Sequence, residues 1–512
     1  MCGITCAVNA SSIISKEDFF KRTKLLNHRG PDFQNIWCDE SLKYMLGHTR
    51  LSILDLNPTG NQPMISSSGR YVISYNGEIY NFLEIKKAIL DVNPDFKLRG
   101  TSDTEVLLAG IEKLGLTKLL SLAKGMFAII LFDRKRSDIY LIRDISGEKP
   151  IYYYAIGKTL LAASELKFFK FMKEQMSISK KALSIFLSQG NVPAPFSIFN
   201  EVKKVMPGTY ICFSSTGDFK ETKYWDIQSL QQNSLAKNEI NDKFEKLFLK
   251  SIKDQMVADV PLGAFLSGGL DSSAVVAGMI ENSSKPIKSI SIGFNEGDYD
   301  ESIKSKRIAE HLGTDHEEYF VTEEDAKNFV PYINKISCEP FADSSIIPTY
   351  FLTKFARSSL TVCLSGDGGD ELFGGYRRHI EIARVEKFLF KLPKALKLSA
   401  AALIKQFIVS NRSKFSKNIS KSIFNLASFD DQIFKIVRVL EASDLREIYY
   451  RLLFQFTSVN SVLNRDFWVD PAKQLDDINQ IEIRNIEEQN FYPRADIARL
   501  KDKAIFFKNK LD

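Results

Sequence analysis

Ser267-Gly268-Gly269-Leu270-Asp271-Ser272-Ser273 is the stretch whose reading decides the fold. It follows an apolar run, Val260 to Leu266, and precedes a small-residue, helix-compatible run, Ala274 to Ile280. A strand, a tight glycine turn and a helix start together aim backbone N–H groups and a helix dipole at an anion. Gly268 and Gly269 allow a sharp turn and the close approach of a ligand. Ser267, Ser272 and Ser273 add hydroxyls suited to phosphate oxygens, and Asp271 a carboxylate suited to a metal ion. No lysine follows the glycines, which separates this run from the nucleotide loop G-x-x-x-x-G-K-[ST]. The plain alternative is an ordinary strand–helix turn that happens to be rich in Gly and Ser.

Around this loop, from Asn238 onward, long helical patterns alternate with short apolar ones, as in a doubly wound parallel sheet. Ile287 to Phe294, Glu317 to Val321 and Leu360 to Leu364 read as strands; Ile303 to Leu312 and Ser345 to Ala356 read as helices. The last of these strands runs into a second glycine-rich loop, Ser365-Gly366-Asp367-Gly368-Gly369-Asp370-Glu371. Acidic and glycine residues at a strand's carboxyl end suit Mg-ATP and a polar substrate. An acidic surface loop is the bland reading, and it leaves unexplained why the loop ends an apolar strand.

The N-terminal part alternates in the manner of sheets. Tyr71 to Tyr75, Met126 to Phe132, Ile139 to Ile142 and Pro150 to Tyr154 are β-rich, with helical spacing at Lys16 to Leu26, Phe82 to Leu90 and Thr104 to Leu114. Met1-Cys2-Gly3-Ile4 places a cysteine where loss of the initiator Met would make it N-terminal. An N-terminal Cys carries nucleophile and base on one residue, because its α-amine can take the thiol proton. Alone, Cys2 reads equally well as a buried thiol of a first strand, as Cys6 does. It is followed by His28-Arg29-Gly30-Pro31-Asp32, Gly47-His48-Thr49-Arg50-Leu51-Ser52-Ile53, Tyr75-Asn76-Gly77-Glu78 and Thr101-Ser102-Asp103-Thr104-Glu105. A turn-rich stretch around Gly190 to Pro195 and Met206-Pro207-Gly208 marks a connection. The expected division is 2–190, a connecting segment 191–235, and 236–512.

Composition sets bounds. A chain of 512 residues is too long for one core, and 44% hydrophobic with 26% charged residues is ordinary for a globular protein. A net charge of +6 over this length gives no argument for nucleic acid as a partner. No leader-like start or membrane-length apolar run is apparent, so membrane contact is not expected. The six cysteines include no C-x-x-C pair, which favours free thiols in a reducing cytoplasm over a zinc site.

The loop at Ser267 resembles the pyrophosphate loop of ATP pyrophosphatases, which form acyl-adenylates. The N-terminal motifs, in order and spacing, resemble the glutaminase domain of class II glutamine amidotransferases. Together with Glu339-Pro340-Phe341-Ala342-Asp343-Ser344-Ser345 and Leu312-Gly313-Thr314-Asp315-His316-Glu317, they resemble the glutamine-hydrolysing asparagine synthetases. That resemblance implies an α/β fold: an N-terminal nucleophile hydrolase α/β/β/α sandwich, then a parallel-sheet ATP-pyrophosphatase domain with a helical C-terminal part. It implies Cys2 as nucleophile, with Asn76 and Gly77 as oxyanion hole. Arg50, Leu51, Ser52, Ile53, Glu78 and Asp103 would complete the glutamine site, Arg50 by a two-pronged grip on the α-carboxylate. Leu266, Ile292, Ser365 and Gly366 would line the adenine and ribose site. Ser267, Gly268, Gly269, Asp271 and Ser272 would bind phosphates, Asp271 also Mg2+, and Asp367 would serve adenylate formation.

The implied reaction takes glutamine, ATP and aspartate. A different carboxylate, such as a sugar uronic acid of surface polysaccharide, and a glutaminase or regulatory remnant are the alternatives. A homodimer stays open. The family's Arg-Val-Pro-Phe-Leu-Asp-like segment is not recognisable near the C-terminus, so the chain reads as shortened there, with amide synthesis weak relative to ammonia release. Arg384 to Lys421, with ten basic residues against one acidic, reads as a solvated helical face, with a membrane-surface helix as the sharper alternative.

Overall fold

The computed structural model describes residues 1–226, 237–294, 300–373, 375–376, 389, 392–404, 406, 436–443, 447–448 and 451. Most of the basic stretch 384–421, and all of the tail 485–512, lie outside the described residues. The chain divides into two compact units. One joins Met1–Ser179 to Val192–Gly366; the other takes Lys180–Asn191 and the chain from Asp367 onward.

The first unit begins with β1 (Gly3–Val8), α1 (Lys16–Lys24), β2 (Phe33–Cys38), β3 (Tyr44–Arg50), β4 (Met64–Ile65) and β5 (Tyr71–Ile79). It continues through α2 (Phe82–Val92), α3 (Asp103–Leu114), α4 (Leu116–Leu122), β6 (Gly125–Asp133), β7 (Asp138–Arg143), β8 (Tyr152–Ile156) and β9 (Thr159–Ala163). After α5 (Lys180–Gln189), which belongs to the second unit, come β10 (Lys203–Lys204), β11 (Thr209–Phe213) and β12 (Phe219–Lys223). These strands form two six-stranded sheets, ordered β10-β8-β9-β1-β3-β2 and β12-β11-β7-β6-β5-β4. The stretch expected as a connection, 191–235, therefore carries three strands. Its prolines and glycines punctuate short strands that pair with β7 and β8, a pairing that local turn signals do not reveal.

Period-two geometry explains the layering. Ile4, Cys6 and Val8 of β1 meet Val72 of β5 and Ala128, Ile130 and Phe132 of β6 in a core between the two sheets. The alternate residues Ile73, Tyr75, Phe127, Ile129 and Leu131 turn the other way, onto Phe82, Ile85 and Ile89 of α2 and Val106 and Leu107 of α3. On the outer face of the first sheet, α1 buries Phe19 and Thr23, and the Thr23 hydroxyl meets Thr5 Oγ1 at 2.8 Å. Helix, sheet, sheet, helix is the expected sandwich.

The same unit holds α6 (Lys237–Gln255), β13 (Leu262–Phe265), α7 (Leu270–Glu281), β14 (Lys288–Phe294), α8 (Ser302–Leu312) and β15 (Asp315–Val321). There follow α9 (Glu323–Phe329), α10 (Ile333–Ile336), α11 (Ile346–Ala356) and β16 (Val362–Leu364). The sheet is parallel, ordered β15-β14-β13-β16. Chain order reverses at β13, which has β14 on one side and β16 on the other, so the crevice beyond the carboxyl ends of β13 and β16 is the switch point where such sheets bind ligands. The Ser267 and Ser365 loops leave those two strand ends. In the second unit, α12 (Gly369–Phe373) begins two residues after Asp367, and the intervening Gly368 takes φ +90°. No described helix is long and apolar enough to cross a membrane.

Candidate active site

Cys2 stands just before β1, and its backbone N–H donates to Asn76 Oδ1 at 2.9 Å, a bond from the first sheet to the second. Along β5, the even positions turn toward the first sheet: Val72 enters the inter-sheet core, Ser74 Oγ donates to Gly47 O, and Asn76 meets Cys2. Because Oδ1 accepts from Cys2, the Asn76 amide nitrogen points elsewhere, and it is buried with no acceptor among the described residues. A buried donor without a partner is costly unless a ligand supplies the acceptor. Gly77 follows on the same strand, and a Cβ there would lie 2.2 Å from Met126 O, so only glycine lets β5 and β6 pair beside the thiol.

Cys2, Arg50, Leu51, Ile53, Gly77, Glu78 and Asp103 line one cleft of about 330 Å³, open in part to solvent. Gln62, Tyr75, Ser102 and Thr104 join them on the wall. Of the expected glutamine-site residues, Ser52 and Asn76 do not line it; the Ser52 N–H donates to Asp32 Oδ2 at 2.8 Å. Asp103 reaches the cleft from the first turn of α3, where Ser102 caps the helix by accepting from Glu105 N. Its carboxylate accepts from Tyr75 Oη at 2.8 Å and Ile79 N at 3.0 Å. Gln62 completes this net, accepting from Tyr75 N and donating to Thr104 Oγ1. Burial and the neighbouring Asp103 carboxylate push Glu78 well above the usual carboxylate range, and burial likewise raises Asp103. Two carboxyl groups lining one cleft favour a cation between them, which an α-ammonium group would supply.

Arg50 is 5% exposed. Its Nη1 donates to Asn57 O at 3.1 Å and Asn61 Oδ1 at 2.8 Å, while Nη2 donates to Leu54 O at 3.1 Å and to Asp55 O. The two-pronged grip expected of Arg50 is thus directed at its own loop, and none of these bonds uses Nε. Sequence spacing could not show this, because three of the four acceptors are backbone carbonyls.

The Cys2 thiol is raised by burial and drawn back down by the amino-terminal charge and the Leu51 N–H, whose nitrogen lies 3.5 Å from Sγ. Burial lowers the amino group of Met1 to about 6. Behind Cys2, Arg29 Nε donates to Cys2 O at 3.0 Å and Nη1 to Glu165 Oε1 at 2.9 Å. Glu165 also meets His28 Nε2 at 2.8 Å and Lys167 Nζ at 3.3 Å. Burial opposes its charge, but the bonds from His28 and Arg29 outweigh that and hold it at about 2. The His28-Arg29 motif and Ser164-Glu165, the pair that follows β9, therefore meet as one brace behind Cys2, and Ser164 Oγ accepts from Ile4 N at 3.0 Å.

At the parallel sheet the means are different. Gly268 takes φ +74°, and a Cβ there would lie 2.8 Å from Lys304 Cβ of α8. Gly269, with φ −75°, is the N-cap of α7, so the left-handed turn belongs to Gly268 alone. Ser272 Oγ accepts from Ser267 N at 3.2 Å and meets Ser267 Oγ at 3.0 Å, while Ser273 Oγ donates to Gly269 O at 2.6 Å. The hydroxyls here close the loop on itself. Gly366 packs so tightly on α7 that a Cβ would lie 2.7 Å from Ser272 N, which brings Ser365-Gly366 against Asp271-Ser272. Leu266 is 1% exposed within the core beneath α7, with its N–H donated to Ile290 O at 2.9 Å, and Ile292 packs in a separate cluster with Val321 and Phe351. Asp367 opens the second unit.

Among the described residues no three His, Cys, Asp or Glu side chains gather to hold a metal, and each of the six cysteines is a free thiol. Asp271 in the first turn of α7 fits Mg2+ that keeps waters and takes its remaining ligands from phosphates. Sequence reading missed Gln62 and the carboxylate of Glu339 as a junction. Glu339 accepts from Tyr152 Oη at 2.9 Å and Ile198 N at 3.0 Å and pairs with Lys204.

Comparison with known proteins agrees with both halves of this description. Residues 1–225 match the glutamine amidotransferase domain family, and residues 243–475 match the asparagine synthase family. A Methanocaldococcus jannaschii protein named for glutamine-hydrolysing asparagine synthetase is 34% identical, the match covering 88% of this chain and 89% of that one. The Bacillus subtilis protein named asparagine synthetase [glutamine-hydrolyzing] 1 is 33% identical over 78% of this chain and 62% of its own length. A solved glutamine phosphoribosylpyrophosphate amidotransferase from B. subtilis aligns with a TM-score of 0.33 at 16% identity, covering 63% of this chain and 81% of that one, too low a likeness to carry an argument.

Proposed function

Since the chain belongs to the asparagine synthetase family of ATP-dependent, glutamine-hydrolysing ligases, we propose that it transfers the amide nitrogen of glutamine to aspartate, forming asparagine, AMP and pyrophosphate. The observation that carries the first half is the buried, unpartnered Asn76 amide nitrogen beside Cys2 and Gly77.

With Met1 removed, the Cys2 α-amine takes the thiol proton and the thiolate attacks the side-chain amide carbon of glutamine. Asn76 Nδ2 and the Gly77 N–H stabilise the tetrahedral oxyanion. Its collapse expels ammonia, which carries away the proton held by the amine and leaves a γ-glutamyl thioester for water to hydrolyse. Glu78 and Asp103 receive the α-ammonium group, and Arg50 holds the loop that forms the opposite wall.

At the carboxyl ends of β13 and β16, the aspartate side-chain carboxylate attacks the α-phosphorus of ATP. Pyrophosphate departs toward Ser267, Gly268, Gly269 and Ser272, with Asp271 as the protein ligand of Mg2+, which offsets phosphate charge when bound. Ser365 and Gly366, with the backbone of Leu266 and with Ile292, form the nucleoside side, and Asp367 serves the adenylation. Ammonia then displaces AMP from β-aspartyl-AMP. The matching family and the relatives' names support aspartate as acceptor. The test is incubation with glutamine, Mg-ATP and aspartate. Asparagine, AMP and pyrophosphate in equal amounts are expected, with glutamate in excess of them because amide synthesis is expected to be weak relative to ammonia release; ADP in place of AMP, or no aspartate dependence, would reject the scheme.

A further inference from the structure

We propose that Asp259 is a positioning residue that ties the wall of the glutamine cleft to the strand bearing the Ser267 loop, so that nucleotide binding changes glutamine affinity. The proposal rests on the reading of the Cys2 cleft as a glutaminase. Asp259 grips the 53–55 segment from two directions. Its N–H donates to Ile53 O at 3.0 Å, and its Oδ2 accepts from Asp55 N at 2.9 Å. The residues it holds are wall residues, since Ile53 and Leu54 line the cleft.

Among the described residues the same loop is also held from within the N-terminal part of the chain, at Arg50 and at Asp55. Arg50 reaches Leu54 O, Asn57 O and Asn61 Oδ1 from below. Asp55, 2% exposed and at φ +55°, accepts from Thr101 N at 3.1 Å and from Thr59 Oγ1, next to Ser102 and Asp103 on the facing wall. Asp259 is the anchor that comes from the parallel-sheet part of the chain.

Its position there has mechanical meaning. Asp259 lies three residues before β13, and Pro261 O accepts from Thr361 N at 3.0 Å and Val362 N at 3.3 Å, which joins the entry of β13 to the entry of β16. These are the two strands whose far ends carry the Ser267 and Ser365 loops. The extended path from Asp259 to Ser267 is about 26 Å at the ordinary rise of a strand. A hydrogen-bonded strand does not stretch, so a shift at its phosphate end is delivered at its entry. Asp259 itself is exposed, so the clamp can loosen without opening the core.

The experiment measures glutamine hydrolysis by the full chain with and without Mg-ATP, for the wild type, Asp259→Ala and Asp259→Asn. In the wild type, Mg-ATP is expected to lower KM for glutamine. Asp259→Ala should raise KM about threefold to tenfold, keep kcat within about twofold, and abolish the effect of Mg-ATP on KM. Asp259→Asn keeps an acceptor oxygen and should restore most of that effect. Equal loss of kcat and of ammonia-dependent synthesis in Asp259→Ala would mean a merely structural role and overturn the proposal. So would an unchanged KM and nucleotide response, or a wild type whose glutamine KM ignores Mg-ATP, while leaving the glutaminase reading in place. A wild type without glutaminase activity would remove both.

Discussion

The cleft at Cys2 and the crevice at Ser267 would meet the two chemical demands of the proposed reaction by opposite means. Around Cys2 the working groups are side chains locked in a buried net: Asn76 by Cys2, Asp103 by Tyr75 and Ile79, Arg29 by Glu165. Around Ser267 they are backbone N–H groups and short hydroxyls on a glycine turn, closed on itself by Ser267 and Ser272. A thiol attacking an amide needs its oxyanion donors within a few tenths of an ångström, and only packing supplies that. A pyrophosphate offers many equivalent oxygens, and a loop at a helix start accommodates them.

The sharpest way to break this contrast is Cys2→Ala. Glutamine hydrolysis should fall by ~10⁴-fold or more, while ammonia-dependent amide formation persists. Glutamate release, measured against asparagine made from ammonium chloride, checks both; retained hydrolysis would remove Cys2 as nucleophile. Next comes Asp271→Asn, expected to lower pyrophosphate formation ~100-fold with little change in glutamine hydrolysis assayed alone. Wild-type rates of AMP formation in that variant would make the loop structural.

The smallest effect is on stability. Glu165 is held at about 2 against an ordinary 4.5, so its folded-state value lies below the unfolded one. Its contribution, about 3 kcal/mol, is complete above the ordinary value and is lost as pH falls toward 2. Near-ultraviolet circular dichroism through that window should show Glu165→Gln with a flatter acid limb than the wild type. Identical limbs would mean that the brace under Cys2 contributes nothing to the acid response.

Sequence by itself placed a part of the elements, in their order and near their bounds. The helices at Lys16, Phe82 and Asp103, and the strands around Tyr71, Gly125 and Lys288, stand where period 3.6 and period 2 place them. These signals are local, and burial on one face of a helix or both faces of a strand writes them into neighbouring residues. Motif spacing likewise marked Cys2, Asn76, Glu78, Asp103 and the Ser267 loop. Tertiary structure alone decided which of their atoms are left to act. Asn76 Nδ2 is orphaned because Oδ1 meets a residue 74 positions away, and Glu339 is matched by Tyr152 across 187. Arg50 is turned onto backbone carbonyls, strands β10 to β12 are claimed by distant partners, and Asp259 grips a loop 204 residues earlier. Such pairings depend on which sheet faces which, and no window of sequence contains both partners.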